Sequence, residues 1–484
     1  MQNSNLKKFK LLLFFSILLI VSSCTKENGN DPTPDPGTDE AQNNQNINKW
    51  IQSNMDVLYY WNTLMPTDRD LTLSPDKYFD FLLYKQEDRF SYIAEDFAQL
   101  SDLLNGVQME AGYDFTLFRK DAVSSDVVGV INYIKPNSPA SLTDLKRGDI
   151  FFTVNGKQLT MDNYQDLLSQ TSAPHTLGVY RNGDIQSISL SVTKYEENPV
   201  FMDSIYEMGS KKIAYLIFNF FSSDNGDYSS SYVKELNEIF NKFKQANVNE
   251  LILDLRYNTG GQVDVSIALA SMISDHTSSD LFCTDQYNSI VDNELKRQYG
   301  NNYNKTFFDD NLIVRDKDGN VVDQSIPIAK LGINRMYVLV TNSTASASEL
   351  LINGLKPYMD VILVGETTYG KNVGMWFIYE TDPVKQKDNR WGMLPIVFKT
   401  FNSANSSDYS QGFTPDIAAD EYDVMPLLPL GDTDEPMLAT ALVNMGVKQA
   451  SALRSEKKEF DSRPLISAID RTPVRKNMII RKRL

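Results

Sequence analysis

The strongest constraint on the fold is a strand, a helix and a second strand that follow one another in the carboxyl-terminal half. The apolar run MYVLVT (336–341) is typical of a buried strand, and SASELLINGLKPY (346–358) then predicts a helix. A second apolar run, VILV (361–364), follows. A crossover of this kind places its two strands parallel and adjacent in one sheet.

This crossover brings a serine and a lysine to the same edge of the predicted sheet. Ser346 follows the first strand, and Lys371 ends the loop GETTYGK (365–371) after the second. Open α/β sheets place their chemistry at the carboxyl ends of their strands. The only histidines are His175 and His276, and neither has a suggestive context. A serine hydrolase of this sequence therefore needs another base, and a buried lysine is the usual alternative.

Both residues also have ordinary interpretations. A serine at a helix start is most often a cap, and a lysine after a glycine is most often a solvated turn residue. However, the segment STASAS (343–348) has no bulky side chain that would block a substrate. If Lys371 lies between sheet and substrate, loss of water lowers the pKa of its amine, which then accepts the Ser346 proton. A lipase or esterase would need a GxSxG elbow and a histidine, which Ser346 lacks.

A pair of glycines predicts a further part of the site. The run LILDLRYNTGGQVD (251–264) indicates a strand, a tight turn at Gly260 and Gly261, and a helix. Glycine lets the main chain approach a ligand closely, and amides at a helix start favour negative charge. This geometry suits an oxyanion hole, while nucleotide binding and a simple tight turn stay open. The missing GxGxxG pattern disfavours a nucleotide.

The amino terminus has the pattern of an exported lipoprotein. Lysines precede the apolar run 11–23, which is shorter than the about 20 residues of a spanning helix. Cys24 follows a sequence that resembles a bacterial lipobox, so we expect residues 1–24 to be a lipoprotein signal peptide. An ordinary signal peptide with an incidental cysteine is the alternative. Residues 25–46 predict a flexible linker, and the protein is expected lipid-anchored in a bacterial cell envelope, on the periplasmic face or cell surface.

Changes in pattern divide the rest of the chain. Residues 47–102 have apolar residues at helical spacing and predict an amino-terminal helical domain. Residues 103–197 hold short alternating runs with Asn-Gly turns, typical of a small β domain. Residues 198–445 alternate strands with helices, which predicts a largely parallel sheet with helices on its faces.

Charge is distributed unevenly. The net charge of −16 argues against broad nucleic-acid binding. Residues 454–484 carry ten Lys and Arg against four Asp and Glu, which leaves about −22 on the rest. We interpret residues 446–484 as a basic tail, either a disordered solubilising end or a contact to anionic lipid or lipopolysaccharide. Besides Cys24 the chain has only Cys283, so we expect no disulfide framework, metal or cofactor.

These motifs together resemble the carboxyl-terminal processing proteases, which are tail-specific serine peptidases with a Ser/Lys dyad. The resemblance covers about residues 47–445 through LDLRYNTGG, STASASE, VGETTYGKNVG, QGFTPDI and PLGDTDEPMLATAL. It implies a mixed, largely parallel α/β core with crossover helices, crotonase-like or ClpP-like, beside a small PDZ domain.

The resemblance also implies roles for individual residues. Ser346 matches the nucleophile and Lys371 the general base, while Glu349 matches a position that orients the lysine in some members. A helix-surface carboxylate is the ordinary alternative for Glu349. The oxyanion-hole amides are those of Ala347, Gly260 and Gly261.

The β domain resembles a PDZ domain in the run IKPNSPASLTDLKRGDIFFTVNGKQL (134–159). PDZ domains bind a polypeptide end as a strand added to a sheet edge. The candidate carboxylate loop is Gly112, Tyr113, Asp114 and Phe115. A PDZ domain that only braces the core is the alternative.

One position departs from the family pattern. Many members have a glutamine four residues after the lysine, where this chain has Met375, and a thioether is a weak hydrogen-bond acceptor. Either Glu349 or a backbone carbonyl then orients Lys371, or the dyad is impaired. The resemblance implies a membrane-anchored serine endopeptidase that cleaves polypeptides near their C-terminal tails through an acyl-enzyme. The alternative is a catalytically impaired, surface-tethered peptide- or ligand-binding protein on the same fold.

Overall fold

The computed structural model describes residues 36–181, 183–317, 319–449, 464–466, 470 and 478–480. The expected signal peptide, with Cys24, lies outside the described residues, as does most of the basic tail. Across the described part of the chain, no helix combines the length and apolar character needed to cross a membrane.

The amino-terminal domain is helical, as its periodicity predicts. Its elements are α1 (Pro36–Leu58), α2 (Pro75–Leu82), β1 (Tyr92–Ala94) and α3 (Phe97–Leu104). Helix α1 begins inside the expected linker, so residues 36–46 are helical. A proline fits the first turn of a helix, because the N–H that it lacks would have no partner within the helix there. The domain packs its apolar face on Val373, Met375 and Ile396 of the core.

The small β domain follows. Its elements are β2 (Val107–Glu110), β3 (Tyr113–Arg119), β4 (Val127–Ile134), β5 (Ile150–Val154), β6 (Lys157–Gln158), α4 (Tyr164–Ser169), β7 (His175–Arg181), β8 (Asp184–Leu190) and β9 (Thr193–Glu196). Strands β3, β4, β5, β7 and β8 form one antiparallel sheet in that order. The β5–β6 turn is the Asn-Gly pair at 155–156, where both residues have positive φ.

The α/β core begins with a sheet that carries the predicted crossover. The first elements are β10 (Val200–Met208), β11 (Lys211–Phe218), α5 (Ser231–Gln245), β12 (Glu250–Asp254), β13 (Gly261–Gln262), α6 (Val263–Ile273), β14 (Leu281–Tyr287), α7 (Ser289–Tyr299), β15 (Lys305–Phe307), β16 (Val314–Arg315) and β17 (Val321–Asp323). The remaining ones are β18 (Arg335–Val340), α8 (Ala347–Leu355), β19 (Asp360–Gly365), β20 (Val373–Trp376), β21 (Ile378–Tyr379), β22 (Gly392–Leu394), β23 (Ile396–Asn402), β24 (Ile417–Ala418) and α9 (Pro436–Asn444).

The main sheet has the order β10, β11, β12, β18, β19, β24. Its first pair is antiparallel and the other four pairs are parallel. Strands β18 and β19 are parallel neighbours joined by α8, which confirms the crossover predicted from the sequence. Helices α5, α6 and α8 bury one face of this sheet, and α9 packs on the other.

The basic tail contributes two strands, β25 (Pro464–Ile466) and β26 (Met478–Ile480), which departs from a fully disordered end. Strand β25 pairs with β3 of the β domain. Strand β26 lies inside a second sheet of the core, whose order is β13, β26, β20, β23, β14, β15. Both strands are apolar triplets inside a segment whose average composition is basic, and each forms because a neighbouring sheet offers an edge with which it can pair.

The β domain is fixed to the core by a buried guanidinium. Arg147 donates to the Tyr257 hydroxyl at 2.7 Å, to Glu421 at 3.0 Å and to the backbone oxygen of Leu428 at 2.7 Å. Apolar side chains around Phe118 and Tyr422 close the same interface. The β domain is thereby held beside the carboxyl ends of the core strands.

Candidate active site

Ser346 lies on a strained turn between β18 and α8. Its backbone has φ +60° and ψ −110°, a region that costs a non-glycine residue about 1–3 kcal/mol. Ser346 and Glu349 have the arrangement of a capping box at the start of α8, yet the buried Ser346 hydroxyl oxygen makes no full hydrogen bond with the described residues. A strained strand-to-helix turn of this kind is also the geometry in which α/β hydrolases present a serine nucleophile.

Lys371 is fully buried at the end of the loop that follows β19. Its Nζ lies 3.6 Å from the Met375 sulfur and 5.0 Å from the centre of the Phe90 ring. The amine is therefore inside the protein, on the loop whose backbone shares the Glu349 carboxylate with the Ser346 turn, and the Ser346 hydroxyl makes no hydrogen bond to it.

Glu349 joins the serine turn to the lysine loop. One carboxylate oxygen accepts hydrogen bonds from the amides of Ser346 (2.9 Å) and Lys371 (2.8 Å). The other accepts from the Thr368 hydroxyl (2.6 Å) and the Gly370 amide (2.7 Å). Burial raises the pKa of this carboxyl, and the four hydrogen bonds oppose that rise. Glu349 thus holds the two backbones side by side, and its bond to Lys371 is to the backbone amide.

The glycine turn lies directly against Ser346. A Cβ on Gly260 would come within 2.8 Å of the Ser346 Cβ and 3.1 Å of the Ala347 nitrogen, so no larger residue fits. Asn258 shapes this turn, since its side chain accepts from the Gly260 amide at 2.9 Å. Gly261 has φ +138° and packs on the Phe221 backbone. The structure therefore brings Gly260 and Ala347 together at the serine, with the Gly260 amide already engaged, and Gly261 is the next residue along the same turn.

The sequence interpretation missed Phe90, which belongs to the amino-terminal domain. Asp88 accepts hydrogen bonds from the amides of Phe90 and Ser91, both at 2.9 Å, and so shapes the turn that presents the ring. The neighbouring Arg89 donates to the backbone oxygens of Gly370 (3.2 Å) and Ser410 (3.1 Å). Only the aromatic cluster itself was visible in the sequence, and aromatic clusters are usually core.

A cavity of about 580 Å³ opens beside the lysine loop. Phe90, Arg89 and Gly370 line it on the side of the lysine, and Tyr60, Trp61 and Tyr84 complete an aromatic wall. It is a concave space of the size that takes one large side chain or more.

The candidate carboxylate loop of the β domain is largely a packed strand. Gly112 accepts from the Lys135 amide at 2.9 Å and from the Ser138 hydroxyl at 3.1 Å. The other three residues, Tyr113, Asp114 and Phe115, lie in β3 with buried side chains. Shortly after these residues in β3, Leu117 and Phe118 pair with β25. The edge of β3 that faces away from β4 is therefore already occupied at that point.

The fold and this site define a peptidase architecture, and three family models match the chain. The model of peptidase family S41 matches residues 212–419, that of the S41 N-terminal domain residues 46–92, and that of a PDZ domain residues 130–181. The chain belongs to peptidase family S41, with an N-terminal domain and a PDZ domain. The resemblance stated from the sequence motifs is confirmed.

Similar proteins have names that agree with this family. The chloroplastic C-terminal processing peptidase of Tetradesmus obliquus is 25% identical over 288 residues, which are 56% of this chain and 52% of that protein. Carboxy-terminal processing protease CtpA of Bacillus subtilis is 24% identical over 311 residues, 63% of this chain and 56% of that protein. The chain therefore spans about half the length of these relatives.

A solved structure extends the comparison to the whole fold. A Bacteroides fragilis protein assigned to the S41 proteases aligns with a TM-score of 0.64 at 25% identity. The alignment covers 87% of this chain and 100% of that protein. The described architecture is thus a known S41 arrangement.

Proposed function

We propose that this chain is a serine endopeptidase that cleaves polypeptides near their carboxyl ends, with Ser346 and Lys371 as a catalytic dyad. One observation carries the proposal. The buried Ser346 hydroxyl makes no hydrogen bond within the described part of the chain and lies on a strained turn, whose backbone shares the Glu349 carboxylate with the backbone of the buried Lys371. A purely structural serine has no need of that strain or of an unpaired hydroxyl.

The reaction would proceed by acyl transfer. The neutral Lys371 amine takes the Ser346 proton as the hydroxyl oxygen attacks the scissile carbonyl carbon. The resulting ammonium protonates the leaving amine as the peptide C–N bond breaks and the acyl-enzyme forms. Water then attacks the ester carbonyl carbon and gives a proton to Lys371, which returns it to the Ser346 oxygen as the C–O bond breaks and the product leaves with a new carboxyl end. In the structure the Ser346 hydroxyl makes no hydrogen bond to the Lys371 amine, and contacts of this kind commonly tighten only when substrate binds.

The developing oxyanion would be held by backbone amides. The Gly260 amide donates to Asn258, so the donors we assign are Ala347 and Gly261. Ala347 opens α8, where the first amides have no carbonyl partner within the helix. Loss of one such donor typically costs about 3 kcal/mol of transition-state stabilisation.

The choice of a polypeptide tail as substrate is supported by the PDZ domain and by the names of the relatives, which are processing proteases. The location follows from the amino terminus. Acylation at Cys24 would tether the enzyme to a membrane of a bacterial cell envelope through the residues that follow it.

The proposal is tested with the full-length protein and an unfolded substrate such as casein. Ser346→Ala should abolish cleavage, a loss of about 10⁴-fold or more, because the nucleophile is gone. Ser274→Ala is the matched control, since this buried serine only donates to a carbonyl of its own helix. Cleavage sites are mapped by mass spectrometry. Equal cleavage by wild type and Ser346→Ala would refute the dyad.

The contact between Lys371 and Met375 favours a second candidate function. The Met375 sulfur lies 3.6 Å from the Lys371 amine, in a position where a stronger hydrogen-bond acceptor would restrict the orientation of the amine. A peptide-binding protein that has lost catalysis would bind unfolded polypeptides equally in wild-type and Ser346→Ala forms and cleave none. The same experiment, read for binding as well as cleavage, separates the two functions.

A further inference from the structure

The carboxyl-terminal segment of the chain occupies the surface on which a PDZ domain binds its ligand. Strand β25 pairs antiparallel with β3 and is the outermost strand of the PDZ sheet. Leu465 and Ile466 pack against the apolar core of the domain. This is strand addition at a sheet edge, the mode by which PDZ domains hold polypeptides.

The same segment then borders a cavity between the PDZ domain and the core. This cavity of about 420 Å³ is lined by Pro464 and Asp470 from the segment. Its other walls include Ser343, on the loop that leads to Ser346, and Thr368, which donates to Glu349. The cavity therefore extends from the PDZ edge to the loops of the active site.

Further along, the segment enters the active site itself. Strand β26 runs parallel between β13 and β20, and Ile479 is in register with both Gln262 and Met375. On one side, Gly261 adjoins the glycine that touches Ser346. On the other, Met375 carries the sulfur that contacts the Lys371 amine. The backbone of β26 thus passes between the glycine turn and the strand that follows the lysine.

A slot with these walls suits an extended polypeptide. With β26 removed, β13 and β20 would each present an unpaired edge, separated by the width of one strand. A polypeptide inserted there would form main-chain hydrogen bonds with β13 on one side and with β20 on the other. Such bonds depend little on the identity of its side chains. Charge acts in the same direction, since residues 454–484 are strongly basic and the rest of the chain carries about −22.

We propose that the tail strands β25 and β26 (residues 464–466 and 478–480) are an intramolecular ligand of the PDZ edge and the catalytic cleft. It occupies both polypeptide-binding surfaces at once and must leave before another polypeptide binds. The proposal deepens the peptidase function given above and rests on it for the activity measurement, whereas the binding measurement below is independent of catalysis.

The test keeps the full chain and weakens one strand. Ile479→Pro removes a backbone donor from β26, which has a neighbour on each side and does not tolerate proline. Ser451→Pro, outside both tail strands, is the matched control. If the tail-free state is about one tenth populated in wild type, Ile479→Pro should cleave dilute casein about tenfold faster, and Ser451→Pro should match wild type.

Binding is measured in the Ser346→Ala background with a fluorescein-labelled peptide of residues 460–484. The peptide should bind Ser346→Ala/Ile479→Pro about tenfold more tightly than Ser346→Ala/Ser451→Pro, because the chain's own tail no longer competes. High salt should weaken this binding. Thermal unfolding of each variant verifies that it is folded.

The outcomes separate the two proposals. Tighter peptide binding without cleavage by any variant would support the tail ligand and refute the peptidase. Normal cleavage with equal rates and equal peptide affinities in all variants would support the peptidase and overturn the tail ligand. A wild-type rate per molecule that falls as protein concentration rises would show pairing between chains and overturn the intramolecular assignment.

Discussion

Two buried glutamates show how differently this protein treats charge in neighbouring regions. Glu435 lies behind the active site, bound by Arg256 at 2.6 and 3.0 Å. Burial alone would raise its pKa, but the charge of Arg256 overcomes this and lowers it. Glu349, in the cleft, is equally buried and is bound by amides and a hydroxyl, and burial raises its pKa. The free-energy cost of burying the carboxylate is offset by an ion pair at Glu435, and by backbone amides and a hydroxyl at Glu349.

The comparison extends to the partners of each carboxylate. Arg256 also binds Asp254 at 2.8 Å, and the Tyr215 hydroxyl completes that cluster at 2.7 Å. At the candidate site, the Ser346 hydroxyl makes no hydrogen bond with the described residues and its backbone is strained. The hydrogen-bonded cluster around Arg256 supports the strand ends, whereas the Ser346 turn is the part to which we assign the proposed chemistry. This difference predicts that substitutions in the first region reduce stability and those in the second reduce activity.

The largest expected effect is on activity. Lys371→Ala should lower kcat/KM for casein by about 10⁴-fold or more, because the only assigned base is removed. The variant should remain folded, because the substitution removes an apolar stem that packs and an amine that is costly to bury, and these two effects oppose each other. The measurement pairs cleavage rates with urea unfolding. Cleavage at the parent rate would remove Lys371 from the mechanism.

The second effect is on stability. Arg256→Met should destabilise the fold by about 3–5 kcal/mol, because Asp254 and Glu435 are left as uncompensated buried charges. Arg297→Met is the control, since that arginine forms an exposed pair with Glu294 and should unfold like wild type. Urea unfolding at neutral pH makes the comparison. Equal midpoints for the two variants would show that the network contributes no stability.

The Arg256→Met substitution should also change how the stability of the fold depends on pH. The pKa of Glu435 is below its ordinary value of 4.5, so its stabilising contribution is present above that pH. The contribution is lost as pH falls through the lowered folded-state pKa. In Arg256→Met the loss of stability on acidification should be smaller, because Glu435 loses the larger of the two arginine charges that lower its pKa and keeps only that of Arg147.

The sequence predicted the elements that hold the site more fully than the contacts within it. The crossover from β18 to β19 follows from apolar runs alone, and with it the placement of Ser346 and Lys371 at one sheet edge. The helix that Phe90 follows was also visible in its periodicity. What the ring touches was not, because a contact between residues 90 and 371 depends on how two domains pack and not on local pattern.

In the basic tail, the sequence pattern did not predict the strands themselves. Its average composition is basic and polar, which predicts disorder, and the apolar triplets at 464–466 and 478–480 are too short to register as strands. They become strands because edges are available at β3, β13 and β20. Strand formation in this segment is decided by the partner surface, which no property of the segment itself reveals.

A smaller effect is expected at the carboxylate that joins the two loops. Glu349→Gln replaces an acceptor of four hydrogen bonds by an amide with one acceptor oxygen, and its NH₂ group would face donors. Stability should fall by about 1–3 kcal/mol. The displaced serine turn and lysine loop should lower kcat about 100-fold. Glu294→Gln, an exposed carboxylate, controls for loss of charge. Full activity in Glu349→Gln would contradict a positioning role for this residue.

The smallest expected effect concerns the residue that departs from the family pattern. In Met375→Gln, an amide oxygen would replace the sulfur beside the Lys371 amine, and a stronger acceptor restricts the amine to fewer orientations. A net hydrogen bond of about 0.5–1.5 kcal/mol would raise kcat by about 2- to 10-fold if it holds the amine toward Ser346. Met375→Leu keeps the apolar volume without an acceptor and should show no gain. If both variants behave alike, residue 375 acts through packing, and the orientation of the lysine depends on its backbone bond to Glu349.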